Sequence, residues 1–286
     1  MFDSININSL VDKTIYHYCD AHAFLSICQN KKLWFNDLHS MNDFSERHYG
    51  YEIWELSASQ IISEEIGKMV TEDEKNKKIQ ELKVFLDKID EFMHLSGRKY
   101  IYTAACFSRN SDLLSQWRGY ANDGQGYCIG FDIDYLLQLN SYAVSVLYNR
   151  EKQVKESVEE ICHLIQLIKN EKWQEFEELV EMYCLNTAAL KNSSFSEEEE
   201  VRLLYPLSVD ENLKVNDILT NPPMDVKFRI KQNIPTPYIE IPFDKGAIRE
   251  VIIGPKNPVL ETAISIFLET NSLRDVKVRR SIIPYC

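Results

Sequence analysis

Tyr100 to Asp132, YIYTAACFSRNSDLLSQWRGYANDGQGYCIGFD, constrains the fold more than any other stretch. Tyr100 to Phe107 is aromatic, β-branched and small, with Ser108 at its end, which predicts a buried strand. Asn110 to Asp112 are good N-cap residues. Leu113, Leu114, Trp117 and Tyr120 then follow at helical spacing. Asn122-Asp123-Gly124 ends that helix, with the glycine available for a left-handed turn. Gly126 to Phe131 is a second short apolar strand, in which Gly130 admits another backbone or a ligand. Strand, helix and strand gather Ser108, Arg109, Gln116, Trp117, Arg118 and Tyr120 at one edge, a small-molecule site by composition. Spacing alone leaves two readings of Trp117 and Tyr120: core side chains, or aromatic faces for a ligand.

The chain has 286 residues, enough for one large domain or two small ones. A net charge of −12 argues against a basic nucleic-acid-coating face. Met1 to Leu10 is polar and lacks the apolar core of a signal peptide, and no apolar run is long enough for a bilayer. Seven scattered cysteines without a Cys-x-x-Cys pair fit reduced thiols and a cytoplasmic protein with no membrane partner. His17, Cys19, His22 and Cys28 cluster in sequence, but their spacing matches no common zinc pattern, so no metal is expected.

Lys13 to Cys19 predicts a strand, Asp20 caps a helix through Gln29, and Lys31 to Phe35 predicts a second strand. The polar loop Asn36 to Glu46 carries Asn42, Asp43 and Glu46, either site residues or a turn and a helix cap. Arg47 to Gly97 is helical, broken near Val70 to Asp73. After the central unit, Tyr142 to Tyr148 alternates as a strand. Arg150 to Lys191 is a helix pair, and Ser194 to Tyr205 turns a Glu run into a strand. Pro206 to Met224 is a linker. Strands return at Val226 to Ile230, Pro237 to Ile241 and Arg249 to Ile253. A helix at Val259 to Glu269 and a strand at Val276 to Ser281 end the chain. The pattern is a single α+β domain, 1–286, with a mixed or antiparallel sheet and helical insertions near 47–97 and 150–191.

Glu197 to Glu200 is either a solvated charge run or a site. Glu198, Glu200 and Arg202 alternate where a strand begins, so they share one face. Arg202 holds at least one of these carboxyls ionised. An ionised, partly buried Glu stabilises a cationic transition state such as an oxocarbenium. His17, between Tyr16 and Tyr18, is either structural or a donor to a ligand hydroxyl. No phosphate-binding Gly loop, Gly-x-Ser-x-Gly or His-Glu-x-x-His is present, which removes P-loop NTPases, hydrolase-fold esterases and zincins.

The ordered segments IYHYC, KKLWF, MNDFSE, ACFSRNSDLLSQWRGYANDGQGYCIGFD, SFSEEEEVRLLY, EVIIGP and SIIPYC resemble a bacterial family known only as domain of unknown function two-nine-seven-one. The order of a His-bearing strand, a strand ending in Ser, an aromatic helix and a strand starting with Glu also resembles the ADP-ribosyltransferase fold, including bacterial toxins that modify DNA. That likeness implies a split-sheet core and NAD as substrate. It implies His17 at the nicotinamide-side ribose, Tyr120 or Trp117 stacked on nicotinamide, Glu200 facing the oxocarbenium and Glu198 orienting the acceptor. Ser108 and Arg202 would complete the NAD site. Cys19 stands where many relatives have Thr or Ser, and both helical insertions exceed the usual core.

The leading expectation is therefore an NAD-consuming enzyme of ADP-ribosyltransferase type. ADP-ribose would pass to a macromolecular acceptor, protein or nucleic acid, or to water, in a bacterial toxin or anti-phage effector. The rivals are a non-catalytic ligand-binding module and a nuclease-like effector.

Overall fold

Short apolar runs build the sheet. In chain order they are β1 (Thr14–Cys19), β2 (Lys32–Asp37), β3 (Tyr100–Ser108), β4 (Tyr127–Asp132), β5 (Tyr142–Ser145), β6 (Glu200–Val209), β7 (Val215–Asp217), β8 (Lys227–Lys231), β9 (Ile234–Pro242), β10 (Ile248–Ile253) and β11 (Lys277–Arg280). The helices are α1 (Ala21–Asn30), α2 (Glu46–Gly67), α3 (Glu72–Lys99), α4 (Leu114–Tyr120), α5 (Ile133–Leu136), α6 (Arg150–Lys169), α7 (Trp173–Thr187) and α8 (Glu261–Thr270). The computed structural model describes residues 13–38, 46–217, 219, 224–231 and 233–285. Asn42 and Asp43 lie outside the described residues, and Glu46 opens α2.

The architecture mixes helices with a largely antiparallel, open sheet. Its main path runs β11-β10-β4-β1-β3-β2-β9-β8, and β6 joins β3 to β5 and β7. The β10–β11 pair is parallel. Ile15, Phe35, Phe107, Ile129, Leu203 and Val251 share the main core, with Ile101 packed against it, and β1 pairs with both β3 and β4.

The two insertions pack against each other. α2, α3, α6 and α7 bury Trp54, Leu86, Ile89, Ile161, Phe176 and Tyr183 in a cluster separate from the sheet core. Thr71 and Glu74 form a capping box at the break between α2 and α3, where both capping hydrogen bonds are present. Among the described residues no helix is long and apolar enough to cross a membrane.

Three expectations need correction. Pro206 lies inside β6 opposite Tyr102, not in a linker. On the other edge of β6 the pairing with β5 reaches Leu204 and that with β7 starts at Leu207, so the residue without an N–H sits in a gap of the ladder. Asp112 does not cap α4, whose N-cap is Leu113 without a side-chain bond. Its carboxylate instead accepts from Trp117 Nε1 at 2.6 Å, Ser281 Oγ at 2.6 Å and the Ile282 N–H at 2.8 Å, tying α4 to the C-terminal segment. Gly130 admits neither backbone nor ligand: the side chains of Glu250, Thr14 and Tyr16 fill the space where its Cβ would stand. The turn after α4 is as expected, with Gly124 at φ 84°.

One opening in the sheet positions the site. β6 pairs with β3 along its whole length. The other edge of β3 is shared. β1 touches it at Tyr16–Ser108, and β2 at Asn36–Ala104 and Asp37–Thr103. Among the described residues no strand pairs with Ala105, Cys106 and Phe107 on that edge, and here β1 and β2 part.

Candidate functional site

A cavity of about 270 Å³ occupies this opening. β1 contributes His17, β3 contributes Ser108, α4 contributes Gln116 and Tyr120, and the segment entering β6 contributes Glu198, Glu200 and Arg202. His17, Ser108, Gln116, Tyr120, Glu198, Glu200 and Arg202, all singled out from the sequence, thus line one cavity. Trp117 does not. It is fully buried, edge-on to Tyr18 with ring centroids 5.0 Å apart, and belongs to the core. Arg109 bonds Ser145 Oγ at 2.8 Å, and Arg118 is exposed, so neither lines the cavity.

The Glu run divides as expected: Glu198 and Glu200 are buried, and Glu197 and Glu199 exposed. The cause differs from the expected strand alternation. Glu198 ends a 3₁₀ turn, Ser193–Glu198, and Glu199 is left-handed at φ 42°, so only Glu200 is in the strand. Around this kink the backbone is held tightly. Ser108 Oγ donates to the Glu198 carbonyl at 2.7 Å, and the Glu200 N–H donates to Tyr148 Oη at 3.0 Å.

The charges form a buried network. Arg202 Nε and one terminal nitrogen hold the two Glu200 oxygens at 2.8 and 2.9 Å, a forked pair. Lys191 Nζ lies 2.6 Å from Glu198 Oε2 and 3.2 Å from Glu200 Oε2. Tyr120 Oη reaches Glu198 Oε1 at 3.4 Å. Burial alone would make Glu200 harder to ionise, but Arg202 and then Lys191 outweigh it and pull its carboxyl from 4.5 to about 2.

That shift makes a pH prediction. A group with a depressed folded-state pKa stabilises the fold above its ordinary pKa and ceases to do so as pH falls through the folded one. The drop from 4.5 to about 2 corresponds to about 3 kcal/mol, lost between those pH values. Urea midpoints measured from pH 5 to pH 2 should fall more steeply for the parent than for Glu200→Gln. Parallel acid slopes would mean that Glu200 is not held ionised.

His17 departs from its expected role. Its Nδ1 is 2.9 Å from the Cys106 carbonyl, which only accepts, so Nδ1 carries the proton. Burial lowers its pKa and keeps the ring neutral, the carbonyl bond opposing more weakly. Nε2 is then an acceptor for a ligand hydroxyl, not a donor. Of the other members of its sequence cluster, Cys19 is buried on β1 and lines the same cavity, whereas His22 is exposed on α1 and Cys28 is buried in the main core. Among the described residues no three His, Cys, Asp or Glu side chains gather to hold a metal ion.

Sequence reasoning missed Lys191, Tyr148, Asn36 and Arg229. Lys191 was detectable in principle, because two buried carboxylates with a single Arg call for a second cation nearby.

Residues 116–203 match a family model described as "Protein of unknown function (DUF2971)", the family that the sequence motifs resemble. The matched segment contains Gln116, Tyr120, Lys191, Glu198, Glu200 and Arg202, but not His17. Neither the curated proteins nor the solved structures gave a match.

Proposed function

We propose that this cavity binds NAD and that the chain cleaves its nicotinamide–ribose bond, as in ADP-ribosyltransferases. The observation that carries the reading is the meeting of His17, Tyr120, Glu198 and Glu200 in one cavity where β1 and β2 part. In the reaction the C–N bond breaks and its electron pair leaves with the nicotinamide nitrogen, which becomes neutral. The ribosyl cation left behind is stabilised by the Glu200 carboxylate. A hydroxyl of water or of an acceptor then attacks, with Glu198 orienting it and taking its proton. His17 Nε2 accepts from a ribose hydroxyl. Ser108 acts indirectly, through its bond to the Glu198 backbone.

One observation favours a second reading, a binding module without turnover: both Glu200 oxygens are already held by Arg202 and Lys191. Cations so close weaken the attraction of Glu200 for a developing positive charge.

Calorimetric titration with NAD tests the shared premise. Tyr120 is 41% exposed, so Tyr120→Ala should barely change stability. If the ring stacks on nicotinamide, the change should weaken NAD binding by about tenfold or more, as expected when an aromatic–base stack is removed. No NAD binding by the parent would overturn the proposal. Nicotinamide release then separates the enzyme from the module.

A further inference from the structure

The opposite wall of the cavity carries charge that the reading above does not use. β2 and β8 supply its lining residues, and β9 joins them in the sheet. Along β2, Leu33 and Phe35 enter the core while Trp34 and Asn36 line the cavity. Register places Trp34 opposite Glu240, Asn36 and Lys227 opposite Tyr238, and Arg229 opposite Thr236. These residues share one face of the sheet.

On that face Glu240 already serves two cations. Lys32 and Lys227 bond its Oε2 at 3.1 and 2.8 Å. Arg229 has no ion pair among the described residues, and its Nε is buried without a hydrogen-bond partner. Burial makes its charge harder to hold. Asp20 favours that charge, but its side chain caps α1 by accepting from the Ala23 N–H at 2.8 Å. The Arg229 guanidinium lies 5.7 Å from the Trp34 ring, which is 4.5 Å from the Tyr238 ring. Asn36 Oδ1 is likewise buried without a partner.

A half-buried, unpaired Arg in a chain of net charge −12 is a poor structural choice and a good anion contact. A guanidinium offers forked N–H groups that match phosphate oxygens. At about 270 Å³ the cavity is smaller than pockets that engulf a drug-sized ligand, about 300–1,000 Å³, so a dinucleotide must extend along a wall.

We propose that the β2–β9–β8 wall binds the diphosphate of a nucleotide, with Arg229 as its cationic contact. The inference deepens the NAD reading by placing the ADP half of that ligand, and in naming the nucleotide it rests on that reading. Its test is anion binding, which needs no turnover.

The full chain is titrated calorimetrically with ADP-ribose, pyrophosphate and adenosine. ADP-ribose and pyrophosphate should bind, and adenosine should bind at least tenfold more weakly than ADP-ribose. Arg229→Gln should weaken both phosphate ligands by about tenfold or more, the scale of a lost charge-assisted hydrogen bond, without moving the melting temperature. Asn36→Asp, which adds a like charge to the wall, should weaken them too, and serves if Arg229→Gln misfolds. Absence of ADP-ribose and pyrophosphate binding, unchanged affinity in both variants, or equal binding of adenosine would overturn the proposal. Nicotinamide release with unchanged affinity in both variants would remove the wall and leave the glycosidic reading standing. Phosphate binding lost in the variants, without nicotinamide release from the parent, would keep the wall and count against catalysis.

Discussion

Glu200→Gln should lower nicotinamide release from NAD by at least ~10²–10³, the scale seen when one preorganised electrostatic group is removed, with little change in NAD affinity. Gln keeps the shape of the side chain and removes its charge. The loss therefore falls on the cationic transition state rather than on ground-state binding. The network sharpens the effect. With Glu200 neutral, Arg202 and Lys191 remain at the cavity with one carboxylate fewer to balance them, while Lys191 keeps its bond to Glu198. Their surplus charge opposes the ribosyl cation. The variant should also be less stable, since removing one member of a buried ion pair leaves the other uncompensated. Activity is therefore compared per folded molecule, with melting curves recorded for each variant. Glu197→Gln is the control, because Glu197 is exposed and should behave as the parent. Equal release by the parent and Glu200→Gln would remove Glu200 from the mechanism.

Local chemistry made most elements legible. The strands around Ile15, Ile101 and Ile129 and the helix break before α3 follow from apolar runs and a capping box. The site was legible where side chains sit close to a recognisable element: His17 in β1, Ser108 at the end of β3, Glu200 at the start of β6. What failed depended on tertiary context. Lys191 lies in the connection after α7, where no period assigns a direction, and its burial comes from two carboxylates seven and nine residues later. β8 misleads more directly. Phe228 and Ile230 are 67% and 71% exposed while Arg229 lines the cavity, so hydrophobic alternation points the wrong way on this edge strand. Glu198 and Glu200 were paired by strand alternation, yet the pairing arises from a 3₁₀ turn and one left-handed residue. Period arguments identify faces of regular elements and are silent about the kinks between them.

Trp117 and Tyr120 show the same limit within one helix, and Trp117→Ala should give the largest change in stability. Three residues apart, both fit an apolar helix face, and only the docking of α4 separates them: Trp117 is fully buried and Tyr120 41% exposed. Replacing a buried Trp by Ala costs about 3–5 kcal/mol through lost burial and a residual cavity. Here the ring also meets Tyr18 edge-on at 81°, and its Nε1 bonds Asp112. Asp112 in turn holds Ser281 and Ile282, so the change loosens the C-terminal segment against α4. Trp117→Phe keeps an aromatic ring and removes the indole donor, and should cost less, about 1.5–3 kcal/mol from the lost hydrogen bond to a carboxylate. Urea unfolding of the three proteins measures the series, and NAD titration of the folded variants accompanies it. A Trp117→Ala loss below about 1 kcal/mol, far under the range for a buried Trp, would remove the side chain from the core. Unchanged stability with lost NAD affinity would instead return Trp117 to the ligand.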